Sequence, residues 1–286
     1  MELKSLNIGV IAGGGDLPKH VAFAASLEGH ELYFVALQGF AQIDQYIDVY
    51  NDIQSYRVSE FGKIVKYFKK KNCTHICFAG IVKRPNFKTL KPDFKGVVYM
   101  PGAIKAAQKG DDALMRYLLS LFEKEGFEVL SPQSLCQSLL LPEGILGKVD
   151  IADKHRNDVR KACEIASKIG ALDIGQAAIV NHGVVLTVEA QEGTDAMLDR
   201  VLTLPEEIRG SAQARSGVLA KMVKPGQETR VDLPTIGPRT VEKAAAAGLA
   251  GIVAEGGRAF LLEQDKVIQL ADDKGLFIAG LPKSTT

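Results

Sequence analysis

Residues 221–238, KMVKPGQETRVDLPTIGP, gather three cations, Lys221, Lys224 and Arg230, with two carboxylates, Glu228 and Asp232. Pro225-Gly226 marks a turn, because proline presets φ and glycine accepts positive φ. Beyond it, Arg230-Val231-Asp232-Leu233 alternates polar and apolar, which predicts a strand with Arg230 and Asp232 on one face. A carboxylate beside a cation at the rim of a strand suits acid/base work or metal ligation. An ordinary surface ion pair is the competing reading.

A second acidic group lies in 189–195, EAQEGTD. Thr194 or Asp195 can cap the helix predicted to follow, which leaves Glu189 and Glu192 as spare carboxylates. Unpaired carboxylates about 4 Å apart would repel by about 4 kcal/mol at an effective dielectric near 20. A divalent cation or open water relieves that repulsion. Oxygen ligands without His or Cys nearby would indicate Mg²⁺ or Mn²⁺ over zinc, and solvent-facing acids at a helix start are the alternative.

The third candidate is Gly13-Gly14-Gly15, which follows the apolar run NIGVIA (7–12). Asp16-Leu17-Pro18 then opens a helix, and 30–37 reads as the next strand. Such a turn lets backbone amides and a helix N-terminus meet a phosphate. Pro18 stands where a dinucleotide fingerprint needs its third glycine, and Gln38 follows the second strand where an acid should hold the ribose. The expectation is a nucleotide or phosphate-ester cradle and not an NAD site, with a ligand-free tight turn as the alternative. Lys83 and Arg84 follow the buried strand at 74–79, at the edge where open α/β sheets bind ligands. Gly13, Gly14, Gly15, Asp16, Lys83, Arg84 and Thr194 are thus the candidate substrate-binding residues, whereas Asp111 and Asp112 read as the N-terminal residues of a helix over 112–125.

These residues need a scaffold. Strands at 7–12, 30–37, 53–58, 74–79 and 127–130, with helices between, predict a Rossmann-like N-terminal domain over 1–131. A loop is expected as far as Pro101, then a short helix over 102–109. Residues 132–286 read as a strand-rich α+β domain: a helix over 151–169, a hairpin about Asn181-His182-Gly183, strands at 217–223, 251–254 and 276–280, and a hairpin over Gln264-Asp265. The fold class is therefore α/β, with two domains.

The chain has 286 residues and a formal net charge of +1, so no global field draws it to nucleic acid. Its four cysteines, Cys73, Cys77, Cys136 and Cys163, form no CxxC pair and suit a reducing compartment. The first residues enter a strand directly, with no signal-type apolar segment and no run of spanning length later. A soluble, cytoplasmic protein is expected.

Six blocks carry a resemblance: IAGGGDLP (11–18), AGIVKRP (79–85), GDDALMRYL (110–118), VEAQEGTDAML (188–198), KPGQETRVDLPTIGP (224–238) and EGGRAFLLE (255–263). Together, and in this order, the chain resembles the LpxI-type UDP-2,3-diacylglucosamine pyrophosphatases nearly end to end. The resemblance implies hydrolysis of UDP-2,3-diacylglucosamine to UMP and 2,3-diacylglucosamine 1-phosphate in lipid A synthesis, with Mg²⁺. It also implies a C-terminal domain of family-specific fold, a lipid substrate held between the domains, a homodimer, and work at the periphery of the inner membrane. The family's essential Asp falls on Asp232; it would ligate Mg²⁺ or orient the water, with Arg230, Lys221 and Lys224 as phosphate clamps. Glu189, Glu192 and Asp195 are candidates for the metal shell by chemistry alone. The competing classes are a non-catalytic nucleotide-sugar or glycolipid-binding module and an NAD(P)-dependent oxidoreductase.

Overall fold

A computed structural model of the chain describes residues 5–45, 52–224, 226, 228, 230 and 233–283. It divides into two compact units, the first running to Ser138 and also including Glu228 and Arg230, the second holding the rest.

In the first unit, short apolar runs become buried parallel strands, because a strand covered on both faces needs no polar side. In chain order the elements are β1 (Asn7–Ala12), α1 (Leu17–Leu27), β2 (Glu31–Leu37), β3 (Ile53–Tyr56), α2 (Phe61–Lys70), β4 (His75–Ala79), α3 (Phe94–Ala107), α4 (Asp111–Lys124), β5 (Glu128–Leu130) and α5 (Pro132–Leu135). The sheet order is β3-β2-β1-β4-β5, parallel at every pairing. Phe68, Ile76 and Phe122 are among the buried side chains between this sheet and its helices.

The expected loop holds only as far as Asp93, and residues 94–101 are instead the first half of α3, which carries Pro101 in its interior. The Asp93 carboxylate caps the helix, accepting the Gly96 N–H at 2.8 Å. Proline forfeits one helical hydrogen bond, but packing on the inner face holds the turn. The Tyr99 ring lies edge-on to Phe61 at 5.4 Å between centroids. A Cβ at Gly102 would fall 2.2 Å from the Tyr117 hydroxyl, so any larger residue there would have to displace the Tyr117 ring packed between α3 and α4.

The second unit contains β6 (Gly144–Leu146), α6 (Asp153–Ala171), β7 (Ala177–Asn181), β8 (Val184–Val188), α7 (Thr194–Val201), α8 (Glu206–Arg209), β9 (Val218–Lys221), β10 (Thr235–Ile236), α9 (Pro238–Ala246), β11 (Gly251–Glu255), β12 (Phe260–Leu261), α10 (Gln264–Lys274) and β13 (Phe277–Leu281). Its six-stranded sheet has the order β6-β13-β11-β9-β7-β8. The central strands β9, β11 and β13 are parallel, and β6 and β7 run antiparallel to them at the flanks. The expected hairpin over Gln264-Asp265 is wrong: the segment is α10. Val267 and Ala271, four residues apart, are its buried positions, and Gly275 stops it in the left-handed region at φ 70. Five residues of VIQLA are too few to separate a helical period from alternation.

Among the described residues no helix is long and apolar enough to cross a membrane. All four cysteines are free. Burial pushes the thiols of Cys73, Cys136 and Cys163 up to about 12.

Candidate functional site

The strand order of the first unit reverses between β1 and β4, the switch point where open α/β sheets take ligands. The Gly13 N–H donates to the Ala79 carbonyl, the Gly14 N–H to that of Ile81, and the Ile81 N–H to that of Gly14, each at 2.8 Å. The two loops leaving β1 and β4 are thus laced backbone to backbone. A Cβ on Gly13 would lie 2.7 Å from the Ile81 oxygen, and one on Gly80 2.7 Å from the Gly14 oxygen. The amides of Gly13 and Gly14 are engaged in this lacing and do not face a phosphate. Gly15, at φ 84, has open space around it, and Asp16 is exposed at the start of α1 without a side-chain cap bond. Gly80 sits at φ 91. Gly80→Ala is therefore expected to cost about 1–3 kcal/mol, from left-handed strain and overlap with the Gly14 carbonyl. A chemical-denaturation midpoint indistinguishable from wild type would show that the lacing yields instead.

Of the two basic residues after β4, Lys83 is exposed. Arg84 donates to the Ala107 carbonyl at the end of α3 at 2.6 Å and pairs with Asp111 at 3.4 Å. A cation closing a helix C-terminus is favourable in itself.

Val231 and Asp232 lie outside the described residues, and with them the expected strand over 230–233. Arg230 is described, and its partners are Glu228 and Glu123. Its Nε and Nη2 fork onto the two Glu228 oxygens at 2.9 and 2.8 Å, and its Nη1 donates to Glu123 Oε1 at 2.8 Å. The bond to Arg230 holds the Glu228 carboxyl below the usual carboxylate range, and the bonds to Glu228 and then Glu123 raise Arg230 further. The Glu228 N–H donates to Asp112 Oδ1 at 2.8 Å, and Arg116 Nε donates to the other Asp112 oxygen at 2.7 Å. Asp112 is thus more than a helix-start residue: it fixes the backbone four residues before Asp232. Sequence reasoning missed Glu123 and Arg116 in this role. The four-residue spacing of Asp112 and Arg116 on α4 was the available signal.

In the second unit, Lys221 ends β9 and is buried, with Nζ donating to the Thr235 carbonyl at 2.7 Å. Lys224 Nζ pairs with Asp173 at 2.9 Å. Glu255, which ends the adjacent β11, is also buried, and Arg258 Nη1 reaches both its oxygens at 3.2 Å. A buried carboxylate at the carboxyl end of a parallel strand belongs with the site candidates, and the block EGGRAFLLE was its only trace in the sequence.

The structure turns the three acids of 189–195 toward separate partners. Buried Glu189 accepts the Gln176 N–H at 2.9 Å on one oxygen and the Thr194 hydroxyl at 2.7 Å on the other. Glu192 pairs with Arg200 at 2.6 Å and Asp195 with Arg239 at 2.9 Å. Among the described residues no group of three or more His, Cys, Asp or Glu could hold a metal ion. The repulsion that suggested a cation is relieved by hydrogen bonds and arginines, so Glu189, Glu192 and Asp195 do not fit a shared metal shell. Thr194 serves Glu189.

The description "LpxI N-terminal domain" matches residues 7–139 and "LpxI C-terminal domain" residues 142–279. A Caulobacter vibrioides protein named UDP-2,3-diacylglucosamine pyrophosphatase LpxI is 51% identical over 274 residues, covering 96% of this chain and 97% of that one. Among solved structures, an Aspergillus clavatus N5-carboxyaminoimidazole synthase matches 66% of this chain and 42% of its own at 10% identity. Its TM-score of 0.24 is too low to imply a common fold. The two domain matches and the end-to-end identity place the chain in one lineage: it belongs to the LpxI family.

Proposed function

We propose that this protein hydrolyses the pyrophosphate bond of UDP-2,3-diacylglucosamine, releasing UMP and 2,3-diacylglucosamine 1-phosphate for lipid A synthesis. The carrying observation is the 51% identity, across nearly the whole of both chains, to a protein bearing that activity in its name. A binding module without catalysis has no comparable support. The NAD(P) reading is weakened as well, since the amides of Gly13 and Gly14 bond the Ala79 and Ile81 carbonyls and are not offered to a pyrophosphate.

In the proposed reaction a water attacks one phosphorus in line, and the departing phosphate is stabilised by positive charge. Asp232 is proposed to orient that water or take its proton. Lys221 and Lys224 are proposed to supply charge, with Arg230 acting chiefly as a strut between Glu228 and Glu123. Mg²⁺, when bound, would neutralise phosphoryl oxygens. The described carboxylates do not fit its shell, so no step is routed through it, and Mg²⁺ dependence stays an expectation of the family likeness. A homodimer, cytoplasmic and peripheral to the membrane that supplies its lipid, completes the reading.

The test is to incubate purified protein with the substrate and follow UMP, with Mg²⁺ and with a chelator. UMP release that stops on chelation and returns with Mg²⁺ is expected. Release that persists in chelator would remove the metal from the proposal. Substrate retained without any release would turn the protein into a binding module.

A further inference from the structure

Helix α3 presents an unusual outer face. Phe94, Val97 and Val98 are 84%, 57% and 60% exposed, and Ile104 is 39% exposed. Pro101 lies exposed between them. These positions follow the helical spacing of three and four residues, so they form one stripe. Such a run is not a set of scattered surface apolars, and contiguous apolar patches mark interaction sites. The inner face is already committed, through Tyr99 on Phe61 and Gly102 on Tyr117.

Charge identifies the occupant. From Lys83 to Lys109 the sequence carries seven basic residues against one acidic, in a chain whose net charge is only +1. The lone acid, Asp93, caps α3, and Lys95 is held by Glu125, so neither shapes the outer field. Exposed Lys88 and Lys91 stand just before the helix, and exposed Lys105 and Lys109 lie at its far end. An apolar stripe with cations at both ends matches an anionic bilayer surface, where a helix lies in the headgroup plane with its apolar face down. A second copy fits poorly: stripe against stripe would bring like-charged lysines together, whichever way the helices ran.

We propose that α3 is a membrane-docking helix, which lies in the headgroup layer of an anionic phospholipid bilayer through Phe94, Val97, Val98 and Ile104 while its flanking lysines meet lipid phosphates. The proposal deepens the reading of the substrate as a lipid and rests on it. Docking by this helix brings the first unit to the surface from which a diacylated substrate must be drawn. At fourteen residues α3 is too short to span, which suits lying on the surface.

The test is sedimentation of the full chain with phosphatidylcholine vesicles, with and without phosphatidylglycerol. Wild type is expected to pellet with the anionic vesicles and to be released by salt. The pair Val97→Asn and Val98→Asn is expected to weaken that binding about tenfold or more. The pair Lys88→Gln and Lys91→Gln should erase the preference for anionic lipid. Both double variants should keep the wild-type melting temperature and turn over a dispersed short-chain substrate within about twofold of wild type, because surface positions outside the catalytic groups are replaced. Wild type that ignores anionic vesicles overturns the proposal, as does an asparagine variant that binds like wild type. An asparagine variant that becomes monomeric while vesicle binding is unchanged assigns the stripe to a second copy. Loss of turnover on the dispersed substrate assigns it to the substrate site instead. Vesicle binding is read without substrate, so absence of UMP release from wild type would sink the functional reading alone.

Discussion

Asp232→Asn is expected to lower kcat by about 10²–10⁴-fold while leaving a folded protein that still retains its substrate. Asparagine keeps the size of the side chain and removes its negative charge and its ability to take a proton. An orienting or proton-accepting carboxylate loses its function by that change, and a surface ion pair would lose at most about 1 kcal/mol of stability with turnover intact. Arg230, the cation expected to pair with Asp232, is already bonded to Glu228 and Glu123. That lowers the weight of the ion-pair reading. The measurement is kcat, melting temperature and retention of unhydrolysed substrate on Asp232→Asn and Asp232→Ala together. A stable variant with near-normal kcat would falsify the catalytic role, and buried Glu255 would be the next carboxylate to replace.

Asp158→Ala is expected to destabilise the fold by about 2–4 kcal/mol, because two part-buried amides lose hydrogen bonds to a charged acceptor, each worth about 1–3 kcal/mol. Asp158 projects from α6 and is 2% exposed. Its oxygens accept the His182 N–H at 2.9 Å and the Gly183 N–H at 2.7 Å. Those two residues form the two-residue turn between β7 and β8, since Asn181 pairs with Val184. Both have positive φ, 47 and 75, as a hairpin turn matching the strand twist requires. Glycine adopts this freely and histidine does so at a cost of about 1–2 kcal/mol. The carboxylate offsets that cost. The melting temperature of Asp158→Ala should fall by about 5–15 °C at these magnitudes. Asp158→Asn, which retains one acceptor, should fall by roughly half as much. A drop of less than a degree or two would mean that water serves both amides equally well.

The parallel sheet of the first unit was legible because NIGVIA and HICFA are continuous apolar runs bounded by turn residues, a signal with few competing explanations. Of helix α3 only the second half was legible, as the short helix expected over 102–109. Gly96, Pro101 and Gly102 each argue locally against a helix, and the contacts that overrule them come from Phe61 and Tyr117, distant in sequence. With the first half hidden, the outward stripe was hidden too. Helix α10 failed for a different reason, since a short apolar run carries no period of its own. For the site, residue types pointed at the right segments and gave little of their bonding. Thr194 and Glu189 were both singled out, but nothing in the spacing shows that one donates to the other. Arg230 and Asp232 share a face only if the segment is extended, and Arg230 turns to acids two and more than a hundred positions away. Local pattern predicts elements; ion pairs at such separations depend on the assembled fold.

Glu228 and Arg230 belong to the first unit although the chain around them belongs to the second. This has a consequence for the order in which the protein is made. When Ser138 leaves the ribosome, the first unit has its sheet and helices, with Asp112 already bonded to Arg116, but lacks Glu228 and Arg230, the later partners of Asp112 and Glu123. Roughly 90 further residues must be synthesised before Glu228 arrives, which takes about 5–20 s at about 5–20 residues per second. For that interval the unit must persist on its sheet and core alone. Only then can Asp112 receive the Glu228 amide and Arg230 close onto Glu123, so the segment leading into Asp232 is set in place late in synthesis, on a unit already folded.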